Sequence, residues 1–163
     1  RATENARNGI VDTDELGKLY EWRLDMKSGT VRERHLNDQY YCDFTRINDD
    51  LAGRKTRYTY AARFDPANGA KFDAELKYDD ATGTVQVHEL GAGRWGGEGV
   101  FAKRNGATAE DDGYVVLFVW DENARQSECV IIDARNFTAP PVARIKIPSR
   151  VPFGFHAAWV PDA

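Results

Sequence analysis

The sequence predicts an all-β protein and, within that class, a β-propeller. Apolar and polar residues alternate with period two through paired segments, and no segment sustains a 3.6-residue apolar period. A strand–Asp–turn signal also returns at a fixed interval. Leu24-Asp25, Tyr78-Asp79 and Ile132-Asp133 each close a strand, and each aspartate stands 54 residues from the next. An Asp at that place has a local reason, because its carboxylate can accept from the N–H groups of the turn that follows. A period near 50 with about four strands per unit is the signature of propeller blades.

The elements follow in order. Tyr20-Glu21-Trp22-Arg23-Leu24 alternates as a half-buried strand, turns at Lys27-Ser28-Gly29 and returns from Thr30-Val31-Arg32. Thr56–Ala61 is rich in aromatic and β-branched residues and reads as a strand. Phe72–Tyr78 alternates again, its polar Asp73, Glu75 and Lys77 falling on one face. It turns at Ala81-Thr82-Gly83 and returns through Thr84–His88. Tyr114–Trp120 is a further aromatic and β-branched strand. Cys129-Val130-Ile131-Ile132 is a continuous apolar run, as in a fully buried strand, and Ala143–Ile147 pairs with it.

Three units of 54 residues nearly fill the chain, whereas a propeller closes with roughly 4–8 blades. Residues 1–163 are therefore expected to be about three blades of one larger propeller domain, with no internal boundary. Alone, such an arc would present raw sheet edges. Two other readings stand beside it: evenly spaced but unrelated hairpins, and a small sandwich or barrel, complete in itself, that binds an apolar ligand.

Composition narrows the function classes. Four Trp, seven Tyr and eight Phe can bury a core, which excludes disorder. No apolar run approaches the ~20 residues of a membrane-spanning helix, and membrane contact is not expected. The net charge of −4 lacks the basic footprint of a nucleic-acid partner. Cys42 and Cys129 are too few for a disulfide framework and read as a reduced pair. The chain opens with Arg1 and a polar stretch to Asn8, with no apolar stretch after it, so a cytoplasmic location is the expectation.

Few residues can carry chemistry. His35 and His88 sit in return strands among charged residues, where a solvated surface role is expected. His156 lies in Pro152-Phe153-Gly154-Phe155-His156-Ala157-Ala158-Trp159, and an imidazole among aromatics must be hydrogen-bonded or bound to something. One histidine does not make a catalytic metal site, which takes about three or more protein ligands. Gly91-Ala92-Gly93-Arg94-Trp95-Gly96 spells G-x-G-x-x-G, but more glycine and a strand follow instead of a helix, so no pyrophosphate site is expected. Those glycines instead let the chain bend and bring Glu98 inward. Asp49-Asp50 and Glu110-Asp111-Asp112 fit no calcium-loop spacing and read as solvated turns.

Several stretches taken together resemble the C-terminal part of the carotenoid cleavage oxygenase family, most of all its lignostilbene (stilbene-cleaving) dioxygenase branch. They are Asp43-Phe44-Thr45-Arg46-Ile47-Asn48, Gly53-Arg54-Lys55 with Arg57-Tyr58, and Gly93-Arg94-Trp95-Gly96-Gly97-Glu98-Gly99-Val100-Phe101. Gly106–Gly113, Asp133–Arg144 and Val151-Pro152-Phe153-Gly154-Phe155-His156 complete the set, which covers nearly the whole chain. The resemblance implies a seven-bladed propeller holding one Fe(II) through four histidines steadied by glutamates. It implies cleavage of a conjugated C=C bond, stilbenoid or apocarotenoid, by O2 into two carbonyl products without an organic cofactor. It makes His156 the last iron ligand, and Glu98 and Asp43 the carboxylates that hold ligand histidines lying outside this chain. The other three histidines would come from the remaining blades, so this segment alone is expected to be inactive. The substrate would be a small hydrophobic or phenolic alkene. Asp43 stands where the family has Glu, and Thr45 and Gly99 stand where it has Pro, so a looser metal site is expected. The other class of reading is a propeller remnant that has lost catalysis and acts as a binding module.

Overall fold

The computed structural model describes residues 16–68 and 71–160. Its eleven strands form three antiparallel sheets. The first is the hairpin β1 (Tyr20–Leu24) and β2 (Val31–His35). The second runs in sequential order through β3 (Tyr41–Arg46), β4 (Tyr58–Phe64), β5 (Phe72–Asp79) and β6 (Thr84–Glu89). The third has β11 (Ala143–Ile147), β10 (Gln126–Asp133) and β9 (Gly113–Asp121) side by side. The short β7 (Arg94–Trp95) and β8 (Val100–Lys103) both pair with the free side of β9. The described residues thus contain two four-stranded blades, β7 and β8 together forming one interrupted strand, and the hairpin of another. Among the described residues, helix is confined to the short 3-10 turns Asp49–Leu51 and Pro66–Asn68.

The 54-residue repeat is structural. Asp25 accepts from the N–H groups of Lys27 and Ser28, Asp79 from that of Ala81, and Asp133 from those of Arg135 and Asn136. Each turn joins the last two strands of its sheet. The strand β3 carries no assignment in the sequence reading above, because Tyr41–Arg46 mixes a charged residue into an irregular alternation.

The second and third sheets pack face to face around Tyr60, Phe101, Val115, Leu117, Ile132 and Phe137. The opposite face of the second sheet buries Leu76 and Tyr78 with Cys42 and Leu19. The strand β5 is therefore covered on both sides, and its alternation does not mean one wet face. Glu75 and Lys77 are buried. Lys77 Nζ reaches Asp111 at 2.7 Å and the Ala134 carbonyl at 2.6 Å, and lies over the Tyr58 ring. Glu110 accepts from the N–H groups of Arg57 and Tyr58. The Glu110–Asp112 stretch is consequently a half-buried clasp between sheets, not a solvated turn, whereas Asp49 and Asp50 are exposed as expected.

Two further expectations change. His88 is 5% exposed: its side chain turns toward the third sheet, where Nδ1 donates to the Phe137 carbonyl at 2.8 Å. Loss of hydration pushes its pKa down, holding the neutral ring. His35 stays at the surface beside Asp38. In β10, Val130 and Ile132 are buried but Cys129 and Ile131 only half so, because one face of β10 lies in the core and the other is not covered by another sheet of the described residues. Cys42 and Cys129 are free thiols, and burial raises the pKa of both.

Candidate metal centre

Glu98 lies in a break in the first strand of the third sheet. β7 pairs Trp95 with Trp120 and β8 pairs Val100 with Val116, so residues 96–99 leave β9 between the two pairings. The Gly96 N–H is tied instead to the Phe72 carbonyl of β5 at 2.8 Å. The bend turns the Glu98 side chain inward, leaving it 4% exposed. No helix follows the glycines, so the pyrophosphate reading stays excluded.

The segment after β11 crosses this break. Its path is fixed by the Val151 N–H donating to Ser127 Oγ and by the Ala157 N–H donating to Glu98 Oε2. His156 is thereby set with Nδ1 3.5 Å from Glu98 Oε1. A carboxylate facing Nδ1 assigns the proton to that nitrogen and leaves the Nε2 lone pair pointing away. The His156 side chain is 78% exposed, so Nε2 is accessible. Neutral imidazole is a suitable ligand for Fe(II), and a carboxylate on its other nitrogen fixes the ring and raises its basicity. These two residues therefore fit one quarter of a histidine iron site. Among the described residues no group of three or more His, Cys, Asp or Glu could hold a metal ion.

Asp43 occupies the matching place in the second sheet. The pairing jumps from Asp43–Ala62 to Arg46–Tyr60, a β-bulge with one extra residue on β3. Phe44, in that bulge, has φ of 54°, a left-handed conformation that costs a bulky residue energy. The bulge turns Phe44 edge-on to His156, with ring centres 5.6 Å apart, and packs it on Phe72. The Asp43 carboxylate is exposed and accepts from the Phe44 N–H at 2.7 Å. So the structure joins Glu98 to a histidine of this chain, His156, and not to one from outside it as expected, because the segment after β11 crosses the break, and it brings only the neighbour of Asp43 to that ring.

Two more ionisable groups, Arg46 and Glu75, attend the site without having been singled out from sequence. Arg46 Nη1 stands 3.7 Å from Glu98 Oε1, while its Nη2 holds Asp49 at 2.8 Å. Glu75 is packed behind the 96–99 segment; its place on an alternating strand gave the only signal, and that signal pointed outward. In front of the site runs an open groove of about 390 Å³, lined by Trp95, Glu98, Phe118, Trp120, Phe153 and His156. A second groove beside it is lined by Asp43, Phe44, Phe72 and Phe155.

An all-β array of blades, with a histidine beside a buried carboxylate at the edge of an aromatic groove, is the architecture of a β-propeller segment. Residues 1–161 match the model of the RPE65 family, described as retinal pigment epithelial membrane protein. The chain belongs to this family of carotenoid oxygenases. It is 39% identical over 160 residues to a carotenoid 9,10(9',10')-cleavage dioxygenase of Phaseolus vulgaris, covering 89% of this chain and 29% of that protein. It is 32% identical over 154 residues to the apocarotenoid-15,15'-oxygenase of Synechocystis, covering 94% of this chain and 31% of that enzyme. The cobalt-substituted structure of Synechocystis apocarotenoid oxygenase superposes with a TM-score of 0.84 at 29% identity, covering 92% of this chain and 32% of that one. The fold is thus that of a seven-bladed propeller, of which this chain is part. It spans less than one third of the length of these relatives. They are named for carotenoids and apocarotenoids; none of these names points to the lignostilbene branch.

Proposed function

We propose that the protein carrying this segment is a non-haem Fe(II) dioxygenase that cleaves a conjugated C=C bond. The carrying observation is Glu98: a nearly sealed carboxylate beside Nδ1 of a histidine whose exposed side chain lines the open groove. His156 would be one of four histidine ligands, with the other three on blades outside this chain. Bound iron supplies the point at which O2 is activated. The reaction breaks the alkene carbon–carbon double bond, and each carbon leaves as a carbonyl bearing one atom of O2.

This chain's residues orient and shield. Glu98 fixes the His156 tautomer, and Arg46 and the Ala157 N–H keep the Glu98 oxygens in place. Phe44 walls the His156 ring. The groove residues Trp95, Phe118 and Phe153 offer apolar faces to a long conjugated substrate. An apocarotenoid is favoured by the names of the relatives above, and a phenolic stilbene is the alternative within the same chemistry. Asp43 would support a second histidine from another blade, and a cytoplasmic location goes with this reading.

The test uses the complete protein, assayed for iron content and for carbonyl products from an apocarotenal and from a hydroxystilbene. His156→Ala is expected to lose both iron and turnover. Full turnover in that variant overturns the assignment. Asp43→Glu, which adds the missing methylene, is expected to raise iron affinity, and an unchanged affinity removes Asp43 from the site. One observation favours the non-catalytic reading: the Asp43 carboxylate is engaged with its own neighbouring N–H. Wild-type protein that binds the alkene but neither iron nor O2 would establish that reading.

A further inference from the structure

Glu75 is 1% exposed, and neither of its carboxyl oxygens has a hydrogen-bond partner. A sealed carboxyl without a partner costs free energy that an apolar side chain of the same size would not. Burial, with the Glu98 charge adding to it, pushes its pKa well above the usual carboxylate value and so favours the neutral form. Its place explains what it does there. A Cβ on Gly99 would lie 2.8 Å from Val115 Cγ1, 2.9 Å from Glu75 Oε2 and 3.0 Å from the Glu75 carboxyl carbon, tighter than almost all real Cβ contacts. Gly99 is thus the residue that lets the chain lie flat against this carboxyl. Glu98 is the residue immediately before it, in the one stretch where the strand has left β9. Where the strand has left the ladder, the backbone at Gly99 rests on what lies behind it, namely Val115 and Glu75.

We propose that Glu75 is a positioning residue of the metal centre, acting through Gly99 to hold Glu98 against His156. The inference rests on the reading of His156 as a metal ligand steadied by Glu98. It assigns a third carboxyl to the site, one that touches neither metal nor substrate. Its side chain sets how far Glu98 reaches out of the break, and so how firmly the His156 ring is held.

The experiment is a Co(II) titration of the complete wild-type protein and of Glu75→Ala, Glu75→Gln and Gly99→Ala, with ring-nitrogen NMR shifts of His156 recorded on the metal-free proteins. Glu75→Ala removes the support and is expected to weaken Co(II) binding about tenfold, the size of effect seen when groups that hold metal ligands are removed. Gly99→Ala sets a Cβ against both Val115 and the Glu75 carboxyl, pushes the chain off this support and is expected to do the same. Glu75→Gln keeps the shape and is expected to bind within about twofold of wild type. A Glu75→Ala protein that melts earlier yet binds Co(II) like wild type overturns the proposal and leaves the metal centre standing. If wild type itself binds no Co(II), the metal reading fails. The His156 shifts then decide alone: movement in Glu75→Ala but not in Glu75→Gln upholds the positioning role, and unchanged shifts remove it.

Discussion

At the scale of single residues, Glu98 and Glu75 show how alike side chains diverge with their surroundings. Glu98 keeps an arginine, a backbone N–H and an imidazole for partners, while Glu75 has none. That difference makes stability depend on pH in a definite sense. Folding raises the Glu75 pKa above its ordinary 4.5, so the folded state holds a proton that the unfolded chain releases above that pH. Its contribution is fully present below about pH 4.5 and is lost as pH rises toward the folded pKa, at up to about 1.4 kcal/mol per pH unit. Glu75→Gln removes this slope. The variant is expected to melt above wild type at pH 7 and to converge with it near pH 4. Parallel melting curves across that range would show that Glu75 has a proton partner after all. The sequence could suggest His156 and Glu98 because each sits in a distinctive local string. It could not suggest Glu75 or the burial of His88, since both look like solvent-facing positions until a second sheet covers them.

At the scale of elements, the hairpin turns were legible and the strand environments were not. A turn is built by residues a few positions apart, so Asp25, Asp79 and Asp133 announce their hydrogen bonds locally. Burial of a strand depends on sheets distant in sequence. The strand β5 alternates like an element with one wet face, yet both faces are covered. On the polar face Lys77 finds partners across the sheets in Asp111 and the Ala134 carbonyl, whereas Glu75 finds none. The breaks in β3 and in the β7–β8 strand are equally non-local, since only the partner strand reveals a skipped pairing. The clasp carries a prediction. Lys77→Ala leaves Asp111 without its cation and is expected to cost about 3–5 kcal/mol in chemical denaturation. Lys77→Met with Asp111→Leu removes both charges and is expected to recover most of that loss. A single variant within about 1 kcal/mol of wild type would show that the pair contributes little.

At the scale of the whole molecule, the fold and the site share one geometry. Each complete sheet begins with an interrupted strand, and each interruption carries an acid: Asp43 in the second sheet and Glu98 in the third. The breaks and the segment after β11 meet along one side, where His156 and the aromatic grooves lie. The same side exposes large apolar groups, with Phe155 80% and Phe153 54% exposed, and the outer strand β11 exposes Ile145. Surface of this kind, next to an unpaired strand edge, favours association. The piece and the complete propeller should therefore behave differently. Residues 1–163 produced alone are expected to self-associate in sedimentation velocity and to hold no tight iron, because one histidine cannot satisfy a metal. The complete protein is expected to sediment free of such aggregates with iron retained through gel filtration. A monodisperse 18.4 kDa segment would mean that these edges are closed within the chain itself, and the site would then have to be completed by a partner other than neighbouring blades.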